Sequence, residues 1–263
     1  MAETYTIDGK TLTMPVAVRR ARNWVGNYIV SAPAAQRLIA STGLEVAEPR
    51  PEKALLTVGV VEYDDTDLGA YHEFMVAVIV RRHDARPATP RQRGAEVRKG
   101  RVGVYIHHLP VDDRFSMDAG RGIWGYPKTL AEFERRTDGR ATVWMLRQDG
   151  ADAVSMRFRP GWFPMPRQPA PPTYTLMDGV LRLTPWNSSP RGMRGRPRGV
   201  DITLGSGPIA DDLRSVGLPK KALLSLHVPE MRATFGAATD LGSPASGSDE
   251  EETPASAPKQ SSS

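Results

Sequence analysis

Two residues of this chain pair a reactive side chain with a local setting that could use it. Lys128 lies in Trp124-Gly125-Tyr126-Pro127-Lys128-Thr129-Leu130, and Glu73 closes Asp67-Leu68-Gly69-Ala70-Tyr71-His72-Glu73. Pro127 fixes its own φ and drives Tyr126 toward extended geometry, so the lysine after it leaves the backbone in a defined direction. Ile123, Trp124, Tyr126, Leu130 and Phe133 offer enough apolar surface to wall off a pocket around it. An amine in such a pocket loses hydration of its charged form, which favours the neutral nucleophile. A neutral amine adds to a ketone, and the iminium that results is an electron sink. Glu73, at the start of an apolar strand, could move protons or hold a polar substrate. Composition alone also fits a plainer reading, an exposed turn lysine and a strand-end acid in water.

The elements that must position these residues are mainly strands. Runs at 55–63, 73–81, 102–108, 141–146, 153–158 and 174–183 are rich in apolar and β-branched residues and are bounded by Gly, Pro or Asp. Asp149-Gly150 between two of them is a hairpin signal. Helices are expected at 33–40, at 115–120 and at 208–216, the last opening with proline. The pattern predicts an α+β chain of mostly antiparallel β, curved or closed into a barrel, with a few peripheral helices and a pocket in its mouth. Residues 1–236 form the expected domain. From Ala237 the chain is Ser, Pro, Gly and acid, read as a disordered acidic tail.

Composition narrows the function classes. The chain has 263 residues, 24 glycines, 23 prolines and no cysteine, so disulfides and thiolate chemistry are excluded and a reducing cytoplasm suits it. The N-terminus carries acids where a signal peptide would be apolar, and the longest apolar run, 74–80, is far short of the roughly 20 residues of a membrane helix. The net charge is +5 with an acidic tail, and much of the basic excess of the rest sits in two loop-like stretches, 81–101 and 191–198. Neither interleaves aromatics with its arginines, so solvated loops are favoured over a nucleic-acid site. The five histidines show no metal-ligand spacing, and no phosphate loop or nucleophile elbow occurs. No cofactor, metal, nucleic acid or membrane is expected.

The stretch Val104–Lys128 (VYIHHLPVDDRFSMDAGRGIWGYPK) resembles the core of the acetoacetate decarboxylase family, where a histidine-bearing strand leads through a loop and a Gly-Arg turn into Tyr-Pro-Lys. Asp65-Thr66, Leu68-Gly69 and Tyr71-x-Glu73 are similar to the same family's upstream segment, and residues 205–236 to its closing helix and strand. The resemblance implies a conical central barrel, a homo-oligomer and a small keto-acid substrate. It makes Lys128 the Schiff-base nucleophile, with Glu73 in the pocket. Acetoacetate decarboxylase is itself the established instance of a lysine activated by desolvation or a neighbouring cation.

Two departures matter. Thr129 stands where the family's decarboxylases carry a second lysine, and the substrate-side arginine has only Arg22 as its best match. Relatives that keep the lysine carry out aldol, retro-aldol or dehydration steps, so lyase chemistry other than decarboxylation, or a barrel that binds an acid without catalysis, stays open. Tyr71, Tyr126 and His108 are further candidates for contacting substrate. His107 and His108 are adjacent on a strand and are expected on opposite faces, with at most one in the pocket.

Overall fold

Long strands form where the sequence supplies apolar residues at both alternating sets of positions. In the computed structural model, which describes residues 3–82, 102–167 and 170–243, a hairpin of β1 (Thr4–Ile7) and β2 (Lys10–Thr13) precedes the 16-residue β3 (Val16–Ser31). Ser31 caps α1 (Ala32–Leu38) by accepting from the Ala34 N–H, and β4 (Leu44–Val46), β5 (Lys53–Thr66), β6 (Tyr71–Arg82) and β7 (Val102–Val111) follow. Next come α2 (Arg114–Trp124), β8 (Lys128–Leu130), β9 (Glu132–Asp138), β10 (Ala141–Gln148), β11 (Ala151–Phe158) and β12 (Phe163–Pro164). The chain continues through β13 (Thr173–Met177), β14 (Val180–Thr184), β15 (Trp186–Arg191), β16 (Arg194–Pro197) and β17 (Val200–Leu204). It closes with α3 (Pro208–Ser215), β18 (Leu224–Phe235) and β19 (Thr239–Asp240).

The large sheet runs in the order β12-β16-β18-β3-β5-β6-β7-β13-β14-β19, with β15 on β18, β4 on β6 and β8 on β7. Its pairs are antiparallel except β7 with β13 and β7 with β8. Among the described residues that order does not return to its first strand, so the closed barrel expected from the sequence is not seen there. A second sheet, β17-β11-β10-β9, is antiparallel throughout.

The two faces of β3, β5 and β6 enter different cores. Trp24, Tyr28, Leu56, Val58, Phe74, Val76 and Val78 pack with Trp144, Val154, Met156 and Phe158 of the small sheet and with Ile209 and Leu213 of α3. The alternate residues, among them Val18, Val61, Tyr63, Tyr71 and Ala77, pack with Ile106, Leu109, Met117, Ile123 and Tyr126. A strand covered on both sides reads as a continuous apolar run, which is why 73–81 stands out in the sequence.

Several expectations need revision. The segment 174–183 is two strands, because Asp178 and Gly179 take φ of 51° and 75° and turn the chain. The Asp149-Gly150 hairpin forms as read. The basic stretch 191–198 is not a loop: it contributes to β15 and β16, paired on β18. The basic residues 83–101 lie outside the described residues, as do 244–263 of the tail. Within 237–243, Thr239 and Asp240 pair with β14. No described helix is long and apolar enough to cross a membrane.

Candidate active site

Lys128 is placed by a helix, a turn and a strand acting together. Asp113 caps α2 by accepting from the Ser116 N–H at 2.6 Å. The helix ends at Gly125 in the left-handed conformation, φ 68°, where the N–H groups of Gly125 and Tyr126 reach back to the carbonyls of Arg121 and Gly120. Pro127 then turns the chain into β8, where Lys128 pairs with Leu109 of β7. The Arg121 Nε donates to the Lys128 carbonyl at 2.6 Å, tying the strand back to the helix. The lysine is thus fixed at its backbone and 3% exposed.

Its ammonium lies 2.9 Å from the Glu73 Oε2, donates to the Ser116 Oγ at 3.1 Å and sits 4.8 Å from the centre of the Tyr71 ring. Glu73 is 7% exposed, and its other oxygen accepts from the Tyr63 hydroxyl at 3.1 Å. Tyr63 and Tyr71 pair across β5 and β6 and stack at 4.4 Å. Burial first, and then the Glu73 carboxylate, push both phenols well above the usual tyrosine range. Burial likewise raises Tyr126, whose hydroxyl shares a hydrogen bond of 2.8 Å with the Thr173 Oγ1. All three phenols stay protonated at neutral pH.

These groups open on a cavity of about 190 Å³. Its wall is mostly apolar, with Val16, Val18, Leu68, Val104, Ile106 and Met231, and aromatic where Trp186 and Phe235 stack at 5.5 Å. Among the described residues that line it, Lys128 is the only cation and Glu73 the only anion.

The sequence model described as acetoacetate decarboxylase matches residues 10–239. The chain belongs to the acetoacetate decarboxylase family. No curated protein matches it by sequence. Solved structures resemble it in fold. An acetoacetate decarboxylase from Legionella pneumophila superposes with a TM-score of 0.66 at 16% identity, over 87% of this chain and 88% of that one. The enduracididine biosynthesis enzyme MppR, bound to the condensation product of pyruvate and imidazole 4-carboxaldehyde, gives 0.65 at 14% identity, over 92% and 97%. An acetoacetate decarboxylase-like enzyme from Sphingomonas wittichii RW1 gives 0.60 at 13%, over 90% and 97%.

Of the residues singled out from the acetoacetate decarboxylase resemblance, the structure brings Lys128, Glu73, Tyr71 and Tyr126 to one cavity. It does not bring Arg22 there. Neighbours on a strand face opposite sides, and Asn23 takes the cavity side of β3 while Arg22 pairs with Asp64 at 2.9 Å and Glu62 at 3.3 Å. Nor does His108 line the cavity. Val76 pairs with His108 but Ala77 with Ile106, so His107 is an extra residue in β7. That bulge cancels the alternation. His107 and His108, expected on opposite faces, both reach Asp212.

Sequence reasoning missed Ser116, Gly120 and Tyr63. The first two lie four apart on α2, so both face Lys128, and reading the helix as amphipathic over its full length would have found them. Tyr63 is signalled only by its pairing with Tyr71, which the sequence does not display.

Proposed function

We propose that Lys128 forms a Schiff base with a small 3-oxo acid and that the adduct loses carbon dioxide. The observation that carries this reading is the buried Lys128–Glu73 pair, 2.9 Å apart, at the edge of a cavity with no other charged group among the described lining residues. In the mechanism, the ammonium passes a proton to Glu73, and the neutral amine adds to the C3 carbonyl. Loss of water gives the iminium. The bond between C2 and the carboxylate breaks, its electron pair moves into the iminium to form an enamine, and carbon dioxide departs. Glu73 gave its proton to the departing water when the iminium formed, so it takes up a fresh proton from solvent and delivers it to the enamine carbon; water then releases the ketone and restores the ammonium.

The cavity wall supports loss of the carboxylate over its retention. A carboxylate about to leave disperses its charge in the transition state, and a cation gripping it would stabilise the ground state more. Pyruvate chemistry keeps the carboxylate throughout and benefits from a partner such as a bidentate arginine. No arginine is among the described lining residues. The same wall supports an apolar group at the substrate's far end. A cavity of about 150 Å³ accepts benzene, so one of about 190 Å³ has room for a keto group and a short alkyl or aryl substituent.

Borohydride trapping tests the reading. Expected are a reduced adduct on Lys128 with acetoacetate or a longer 3-oxo acid, and release of carbon dioxide without the reductant. Absence of any such adduct overturns it. An adduct with pyruvate alone, without carbon dioxide, assigns the lysine to carbon–carbon bond formation instead.

A further inference from the structure

We propose that His107, His108 and Asp212 form a binding site for a divalent transition metal ion such as Zn²⁺, apart from the cavity. The bulge in β7 turns both imidazoles to one side, with ring centres 4.4 Å apart and planes at 68°. Their Nε2 atoms lie 2.9 Å and 2.8 Å from the same oxygen, Oδ2 of Asp212, on a helix more than a hundred residues later in the chain. One ligand atom from each residue falls within 4.8 Å of the other two.

Donor chemistry sets the ion class. Two imidazole nitrogens and one carboxylate oxygen suit Zn²⁺, Co²⁺ or Ni²⁺, whereas Mg²⁺ and Ca²⁺ prefer oxygen alone. Tetrahedral bonds of about 2.0–2.1 Å place neighbouring donors roughly 3.3 Å apart. The two Nε2–Oδ2 separations are a few tenths of an ångström shorter, so the Asp212 carboxylate must draw back by that much to admit an ion. The side chains are 17%, 22% and 34% exposed, so an ion can enter and keep water at its remaining positions.

Without metal, the same residues form a clamp in which two imidazole N–H groups donate to one carboxylate and hold α3 against β7. With metal, each ring presents a nitrogen lone pair and carries its proton on Nδ1. Leu109, next after His108, pairs with Lys128. The ion therefore braces the strand that seats the lysine without entering the cavity.

The test uses full-length, untagged protein stripped with a chelator, then titrated with Zn²⁺ by calorimetry and with Co²⁺ by visible absorption. Expected are one equivalent bound, a raised melting temperature, and an affinity that falls about 10–100-fold or more in His108→Gln and in Asp212→Asn. Both variants retain hydrogen-bonding side chains, and borohydride trapping on Lys128 reports that the fold is intact. Saturation without stoichiometric binding, or binding unchanged in both variants, overturns the proposal and leaves the three residues as a hydrogen-bonded clamp.

Discussion

Gly120 and Lys128 are in contact along the aliphatic stem of the lysine: a Cβ at position 120 would lie 2.5 Å from the lysine Cδ and 2.8 Å from its Cε. The stem cannot yield freely, because Ser116 and Glu73 hold the amine and β7 and Arg121 hold the backbone. The helix face that carries Ser116 therefore needs a residue without a side chain one turn later. Gly120→Ala is expected to displace the amine and lower the rate of Schiff-base formation by about 10²-fold, since misplacement of a reacting group by about 1 Å costs that much. The rate of borohydride-trapped adduct formation measures this, and a wild-type rate in the variant would refute it.

The Lys128–Glu73 pair couples stability to chemistry. Lys128→Met leaves a carboxylate buried without its counter-charge, which destabilises by about 3–5 kcal/mol. Adding Glu73→Gln removes that isolated charge and should recover most of the loss, although Schiff-base formation stays abolished. Urea unfolding of wild type, single and double variants checks the cycle. If the double variant proves no more stable than Lys128→Met, the ion pair is not what the buried carboxylate depends on.

A second pair, outside the cavity, gives stability a pH dependence. The His72 Nδ1 lies 2.6 Å from the Asp112 Oδ2, and the His72 N–H donates to the Asp112 Oδ1 at 2.7 Å. The hydrogen bond to Asp112 raises the histidine above its usual value, overcoming desolvation. Burial alone would raise Asp112, but its hydrogen bonds with His72 outweigh that and hold it low. The histidine contribution is complete below about pH 6.5 and is lost as pH rises through the raised folded value. The aspartate contribution is complete above about pH 3.9 and is lost as pH falls through the depressed one. The pair stabilises most between these limits, and Asp112→Asn should flatten the profile on both sides. Melting temperatures from pH 3 to 9 report this; an unaltered profile in the variant counts against it.

Substrate preference should follow the apolar wall. Each methylene buried is worth about 0.8 kcal/mol, or roughly fourfold. We expect kcat/KM to rise by about that factor per carbon from acetoacetate to 3-oxohexanoate, and Phe235→Ala to reduce the gain. A flat or falling series would show that the substrate's tail lies elsewhere.

The sequence displayed β5, β6 and the Asp149-Gly150 hairpin because each obeys a local rule: runs covered on two faces, or a turn that needs positive φ. β3 escaped notice because Arg19, Arg20 and Arg22 interrupt it. Those arginines pair with Asp64, Asp65, Asp67 and Glu62 in and just beyond β5, partners that become visible only after folding. Lys128 and Glu73 were each legible through two motifs in the order of the resembled family, whereas their contact at 2.9 Å was not. Arg22 was misassigned because a one-residue difference on a strand exchanges the cavity side for the outside, and the bulge at His107 cannot be counted without its partner strand. The open path of the large sheet is a property of which edges meet, and no single segment encodes it.

β6 carries Phe74, Val76 and Val78 toward one core and Glu73, Met75 and Ala77 toward the cavity. Its two sets of residues therefore answer to different physical demands. Met75 and Ala77 can change with the substrate while Glu73 stays for the chemistry and the even-numbered residues preserve the packing against the small sheet. A lineage could in this way exchange one keto substrate for another at two positions of a strand whose fold and catalytic carboxylate stay constant.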